Sequence, residues 1–151
     1  MSEYKVIAYK GEKLPEQYRA LVYSKWLRSL RYGNDYFRLI DSRSYFKVYH
    51  LFISKLLSQS DSVVHLAVLG DDYDVVLGFS VSRNNLLDYV HVHKDYRRTG
   101  IGTSLVPAGI DFITHITRQG MSFWNNRLKD AVFNPFIWNY PKHFSTLLSF
   151  L

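Results

Sequence analysis

The chain contains no cysteine. That excludes a disulfide framework, a cysteine-ligated zinc site and a thiol nucleophile. It also lacks any apolar run near the roughly 18–20 residues that a membrane helix requires. Its first thirteen residues, Met1 to Lys13, interleave charges and have no apolar stretch of the kind found in secretory signals. Charged residues are few at 21%, while 47% of the chain is hydrophobic, which excludes intrinsic disorder. With 151 residues, residues 1–151 form a single domain long enough to bury a core. The expectation from these absences is a soluble, cytoplasmic protein that does not enter a membrane.

What is abundant is aromatic and basic. Twelve Tyr, ten Phe and three Trp make 17% of the chain. That excess fits one aromatic core or a contact surface in a homodimer. Nineteen Lys and Arg against thirteen Asp and Glu leave a net charge of +6. Such a balance attracts phosphates, nucleotides, nucleic acid or acidic protein surfaces. The excess is concentrated: from Gln17 to Lys47 there are seven Lys or Arg and two Asp. A solvated basic helix face explains this stretch as well as a binding role does.

Along the chain, Glu3 to Lys10 is rich in β-formers and predicts an opening strand. Tyr18, Val22, Trp26 and Leu30 recur at every fourth residue after Pro15, predicting an amphipathic helix with Lys25, Arg28 and Arg31 outward. Arg31 to Asp35 breaks it. A second helix is expected from about Ser44 to Ser58. Val63 to Leu69, Val75 to Ser82 and Leu86 to His93 then predict a three-strand meander with turns at Gly70–Asp74 and Asn84–Asn85. A third helix is expected from Ile101 with Leu105, Ala108, Phe112 and Ile116 on its apolar side, kinked at Pro107. Met121 to Trp124 reads as a fifth strand, and Asn125–Asn126 as the start of a further helix.

The most specific segment joins the third meander strand to that third helix: Lys94-Asp-Tyr-Arg-Arg-Thr-Gly-Ile-Gly-Thr103. A helix N-terminus presents unpaired N–H groups and partial positive charge, which suits an anion. Gly100 and Gly102 carry no Cβ to hold a ligand off the backbone. Successive N–H groups from Arg98 to Thr103 could cradle a pyrophosphate, with Arg97 and Arg98 adding charge. The segment lacks the Gly-Lys-Ser/Thr ending of a P-loop and the three glycines of the dinucleotide fingerprint.

Arg97-Arg-Thr-Gly100-Ile-Gly102 resembles the Gln/Arg-x-x-Gly-x-Gly/Ala signature of the Gcn5-related N-acetyltransferases. Val90-His-Val-His-Lys-Asp-Tyr96 is similar to that family's fourth strand and its lead-in. The resemblance covers residues 3 to 118 by element order and is sharp from Leu86 to Val106. It implies an α/β (α+β) fold: a mixed, mostly antiparallel, splayed sheet flanked by helices. The implied order is strand, two helices, three strands, helix, strand and a further helix, with an abbreviated C-terminus, since Phe133 to Pro141 fits no family pattern. The implied activity is acyl-CoA-dependent N-acyl transfer, from acetyl-CoA to a primary amine, by direct attack in a ternary complex. The resemblance implies no metal.

By the same resemblance, Arg97, Arg98, Thr99, Gly100, Ile101, Gly102 and Thr103 would hold the pyrophosphate, with Asn126 a further contact. The backbone of Val90, His91 and Val92 would meet the pantetheine arm and polarise the thioester. Strand alternation places Asp88, Val90 and Val92 on one face and Tyr89, His91 and His93 on the other. Asp88 is the first candidate base and His91 the second; Tyr140 is the candidate proton donor. His91 and His93 have strand spacing for two metal ligands, but no third donor lies nearby in sequence. Trp26, Arg28, Arg31, Tyr32 and Tyr36 are the candidate acceptor contacts. Arginines interleaved with aromatics would repel a cationic acceptor, which disfavours a polyamine or an aminoglycoside and leaves an amine on a protein, a nucleotide, a nucleic acid or another small molecule. The basic segment Trp26–Arg31 is similar to small bacteriophage-borne members, which would place the protein in a host cytoplasm. Two alternatives remain: a nucleic-acid-binding or nucleotide-modifying protein on the same fold, and a non-catalytic CoA-binding module, each as monomer or homodimer.

Overall fold

A computed structural model describes residues 3–137. Strand β1 (Tyr4–Lys10) leads into helix α1 (Glu16–Tyr32), a short helix α2 (Asp35–Arg38) and helix α3 (Ser42–Leu57). The expected break after Arg31 holds, and Asn34 uses it to start α2 by accepting the Tyr36 N–H at 3.0 Å. Asp41 starts α3 in the same way, accepting from the Ser44 N–H at 3.1 Å. The meander follows as β2 (Ser62–Leu69), β3 (Asp72–Arg83) and β4 (Leu86–Val92). After β4 come α4 (Ile101–Leu105), β5 (Phe112–Ile113), α5 (Arg118–Arg127) and β6 (Val132–Phe133).

The six strands among the described residues lie in one sheet in sequence order. The first four pair antiparallel, whereas β5 joins β4 in parallel, as does β6 with β5. No helix among the described residues is long and apolar enough to cross a membrane.

Two expectations for the second half fail, and proline explains the first. The helix expected through Ile116 stops at Leu105. Pro107 has no N–H to donate and forces Val106 into extended backbone, at φ −91° and ψ 122°. Phe112, expected on that helix, is instead the first residue of β5. Met121 to Trp124 is not a strand either, because it lies inside α5. Thr117 caps that helix by accepting the Gly120 N–H at 3.1 Å, so helical structure begins before the apolar pattern does. Asn126 is therefore near the end of a helix.

The aromatic excess goes largely inward. Trp26 and Tyr89 stack at 4.9 Å, and Tyr45, Tyr49, Phe37, Phe52 and Phe79 pack around them between α1, α3 and the sheet. Each such ring removes about 150–250 Å² from water, so this cluster dominates the apolar contribution. Tyr32, Tyr36, Phe133 and Phe136 stay exposed.

A charged pair sits within this apolar framework. Arg83 ends β3 and Asp88 lies on β4, both fully buried, with Nε–Oδ2 at 2.6 Å and Nη2–Oδ1 at 3.0 Å. The hairpin register Arg83↔Leu86 sets them diagonally across the turn. Removing one partner strands the other charge in a low-dielectric interior. Arg83→Met is expected to lower unfolding free energy by about 3–5 kcal/mol, and Arg83→Met with Asp88→Leu to recover most of it. Urea denaturation of the three proteins checks this; equal losses in the single and double variants would contradict it.

Candidate functional site

The site begins where β4 and β5 part. They pair only at Leu86↔Phe112 and Leu87↔Ile113, and the Thr114 N–H then donates to the Leu87 carbonyl at 3.1 Å. Beyond this point the β5 chain turns toward the end of α1. There the Arg118 N–H donates to Gly33 O at 2.9 Å and Asn34 Nδ2 donates to Ile116 O at 3.4 Å. The rest of β4 is left with a strand edge that β5 does not cover.

Which groups face that edge follows from the antiparallel ladder. The His93 N–H donates to Leu77 O at 2.8 Å, so His91 and Tyr89, at alternate positions, turn their backbone groups toward β3. Val90 and Val92 turn theirs away. Val92 O accepts from Arg97 Nε at 3.1 Å, in keeping with that direction. The resemblance named Val90 to Val92 as backbone contacts. The ladder directs the N–H of Val90 and Val92, and not of His91, toward the cleft.

The edge runs straight into the glycine-bearing turn. Arg98 and Gly100 both adopt left-handed backbone, at φ 64° and 89°. A Cβ at Gly100 would meet nothing within 4 Å, so the surface there is open. Thr99 Oγ1 donates to Tyr96 O at 2.6 Å. Ser104 Oγ donates to Gly100 O at 3.1 Å and takes the Tyr4 hydroxyl proton at 2.6 Å, which ties the turn to β1. Arg97, Arg98, Gly100 and Thr103 are exposed, and Ile101 is buried beneath them against Ala67, Leu77 and Leu105. The turn is thus fixed from below and free above. Thr103 and Asn126 line one open groove between α4 and the end of α5.

The candidate proton-handling residues separate. Asp88 does not face solvent: its carboxylate is held by Arg83 and by Thr114 Oγ1–H at 2.8 Å. A carboxylate so committed cannot take a proton directly from an amine in the cleft, and its place is structural. His91 is mostly buried beside Phe79, and its pKa is pushed down to about 4 by burial and by the nearby Arg97, Lys25 and His93. Tyr140 lies outside the described residues. His93 accepts the Asp95 N–H. Among the described residues, no three His, Asp or Glu side chains gather as metal ligands.

Sequence reasoning missed His115. Its Nε2 lies 2.6 Å from the Tyr49 hydroxyl and its Nδ1 2.9 Å from Thr114 Oγ1. Thr114 spends its only proton on Asp88, so Nδ1 must carry the imidazole proton and Nε2 must accept from Tyr49. Arg83, Asp88, Thr114, His115 and Tyr49 thereby form one chain across the base of the cleft. Burial pushes His115 down to about 4 and raises Tyr49. No local sequence signal marks His115, because its partner Tyr49 lies 66 positions away.

The acceptor candidates also divide. Trp26 is fully buried and structural. Arg31 donates to Phe37 O at 3.2 Å and Ile40 O at 3.0 Å and covers the Tyr45 ring, so it fastens the α2 segment to the core. Arg28, Tyr32 and Tyr36 remain exposed.

The two depressed histidines set a pH dependence. In the native protein both are neutral down to about pH 4, whereas in the unfolded chain they protonate below about 6.5. Their contribution to stability is complete above pH 6.5 and shrinks as pH falls toward 4, by up to about 1.4 kcal/mol per unit for each. The urea midpoint is expected to drop across that window, and less steeply in His91→Gln. A flat profile from pH 6.5 to 4 would contradict it.

No family model and no curated protein matches the sequence. Solved structures do match. A proposed acetyl transferase from Pyrococcus furiosus aligns over 97% of this chain and 91% of its own, at 15% identity and a TM-score of 0.50. The apo form of YjaB from Escherichia coli aligns over 68% of this chain and 61% of its own, at 19% identity and 0.44. This chain therefore spans less than two thirds of that protein. A ribosomal-protein-alanine N-acetyltransferase from Brucella melitensis biovar Abortus gives 97% and 86%, at 13% identity and 0.43. The Pyrococcus furiosus match, nearly complete in both chains, joins the β4 edge and its glycine turn as evidence for the architecture. This chain has the fold of the Gcn5-related N-acetyltransferases.

Proposed function

We propose that the protein is an acyl-CoA-dependent N-acyltransferase that moves an acetyl group onto an uncharged primary amine. The observation that carries this reading is the unpaired edge of β4, whose Val90 and Val92 groups face the cleft and lead directly into the Arg98–Thr103 turn. An extended amide-bearing arm can add to such an edge as a further strand, while its phosphates meet the turn. The residues fit that ligand: Gly100 opens onto free space, the arginines of the turn are exposed, and Asn126 shares a groove with Thr103.

When bound, acetyl-CoA supplies an acyl group already activated as a thioester. The protein's part is position and field. The Val90 and Val92 N–H groups point where a carbonyl oxygen gains negative charge, and fixed donors stabilise such charge without rearranging. Burial is the main cause of the lowered His91 pKa, and the Arg97 and Lys25 charges beside it act in the same direction. The same field disfavours an ammonium ion beside it, so an acceptor amine sheds its proton more readily on entering. His91, weakly basic in this field, can pass that proton on to water, and the positive field also favours the departing thiolate. Asp88 acts in this account as a positioning residue, holding the fork through Thr114. Arg28, Tyr32 and Tyr36 are the exposed groups left to meet the acceptor, which suits an amine on a protein, a nucleotide or a nucleic acid.

Calorimetric titration with acetyl-CoA tests the reading. Wild type is expected to bind in the micromolar range. Gly102→Glu should abolish binding by placing a carboxylate at the turn, and Arg98→Ala should weaken it several-fold and flatten its salt dependence, by the loss of one phosphate contact. Absence of binding by folded wild-type protein would overturn the acyl-CoA reading and leave salt-dependent nucleic-acid binding as the next measurement.

A further inference from the structure

Two cavities adjoin along α5. The inner one is small and apolar, about 30 Å³, and is lined by Leu87, Val90, Ile113, His115 and Trp124 at the fork between β4 and β5. The outer one is an open groove of about 360 Å³ lined by Thr103, Pro107, Asn126, Arg127 and Lys129. Its width follows from the early end of α4, which leaves the loop around Pro107 where further helix would have stood. Phe123 and Leu128 line both. The Phe123 ring also stands against the turn. A Cβ on Gly102 would lie 3.2 Å from Phe123 Cε2 and 3.7 Å from Val92 Cγ2. One aromatic ring thus fills the gap between the turn and the end of β4, on the boundary between the open groove, whose rim carries Arg127, Lys129 and Asp130, and the inner chamber.

Among the described residues, Phe123 is partly buried and lies outside the three apolar clusters, whereas its neighbours Trp124 and Leu128 pack into the one around Leu87, Ile113 and Ala131. A phenyl group has no hydrogen bond to break, and its rotation is a matter of a side-chain rotamer change.

We propose that Phe123 is a specificity-determining partition, which stands between the phosphate-holding turn and the inner chamber and must turn aside for a thioester arm to reach Val90. This rests on the acyl-CoA reading. Turned aside, the ring remains in the lining of the inner chamber, where it limits the space to a two-carbon acyl group and rejects longer ones. Each surplus methylene in such a pocket typically costs about 10- to 200-fold in discrimination.

Trp124, in the inner lining, provides a fluorescence signal for stopped-flow binding. Acetyl-CoA, butyryl-CoA and ADP, which lacks the pantetheine arm, are mixed with wild type, Phe123→Ala and Phe123→Leu. Phe123→Ala is expected to speed acetyl-CoA association and to raise butyryl-CoA affinity relative to acetyl-CoA by about tenfold or more, the worth of one or two methylenes. ADP binding should not change. Phe123→Leu, which retains bulk and apolar packing, should fall between. An unchanged association rate and an unchanged acetyl-to-butyryl ratio in folded Phe123→Ala would overturn the partition while leaving acyl-CoA binding intact. An equal change for ADP would overturn it too, since the ring would then only support the turn. If neither wild type nor Phe123→Ala binds acetyl-CoA, the acyl-CoA reading itself fails.

Discussion

The buried Arg83–Asp88 pair is the constraint on which the cleft depends. It is formed across a tight hairpin, and Thr114 extends it to the strand on the other side of the fork. A parallel contact of two residues could slip or zip further along β4. Here the Thr114 side chain is committed to Asp88 and its N–H to Leu87 O, which fixes the point where the strands part. The bridge from His115 to Tyr49 then ties that point to α3. Buried polar chains are expensive unless every member is satisfied. Here Asp88 is met by Arg83 at both carboxylate oxygens and by Thr114 at Oδ1.

The electrostatics of the cleft have a related origin. α1 packs its apolar stripe inward and leaves Lys25 near the end of β4, while Arg97 is brought back onto Val92 O. Both charges bear on His91. The positive character of the site is therefore set by helix register and by one turn, and does not need the chain's overall charge. Several of the remaining basic residues serve as fasteners, with Arg31 holding α2 and Arg118 meeting Asp35 and Tyr32 O.

Much of the first hundred residues was legible in sequence, because apolar periodicity in α1 and α3 and alternation in β2 to β4 agree with their turns. The glycine turn was legible for a different reason: residue types that permit close backbone approach stood where a strand meets a helix. The second half was not. Its elements are two to ten residues long, and Pro107 converts an apparently continuous apolar stripe into a five-residue helix and a two-residue strand. Side-chain roles were harder still. Asp88 reads as a catalytic carboxylate until Arg83 and Thr114 are seen around it, Trp26 as a binding surface until the core closes over it, and Arg31 likewise until its guanidinium is seen on the Phe37 and Ile40 carbonyls. His115 became visible only when Tyr49, 66 positions earlier, was brought to its ring.

The brevity of β5 also divides the molecule energetically. β2 and β3 are paired on both sides over most of their length, whereas β5 and β6 join the sheet through two residues each. Few backbone bonds must open for the 106–137 segment to part from β4 while the meander and its helices stay folded. In hydrogen exchange, amides of β2 and β3 would report global unfolding, and those of β5 and β6 a cheaper local opening. The 106–137 segment that walls the cleft is thus expected to open ahead of the meander, with Thr114 and His115 as the contacts that hold it.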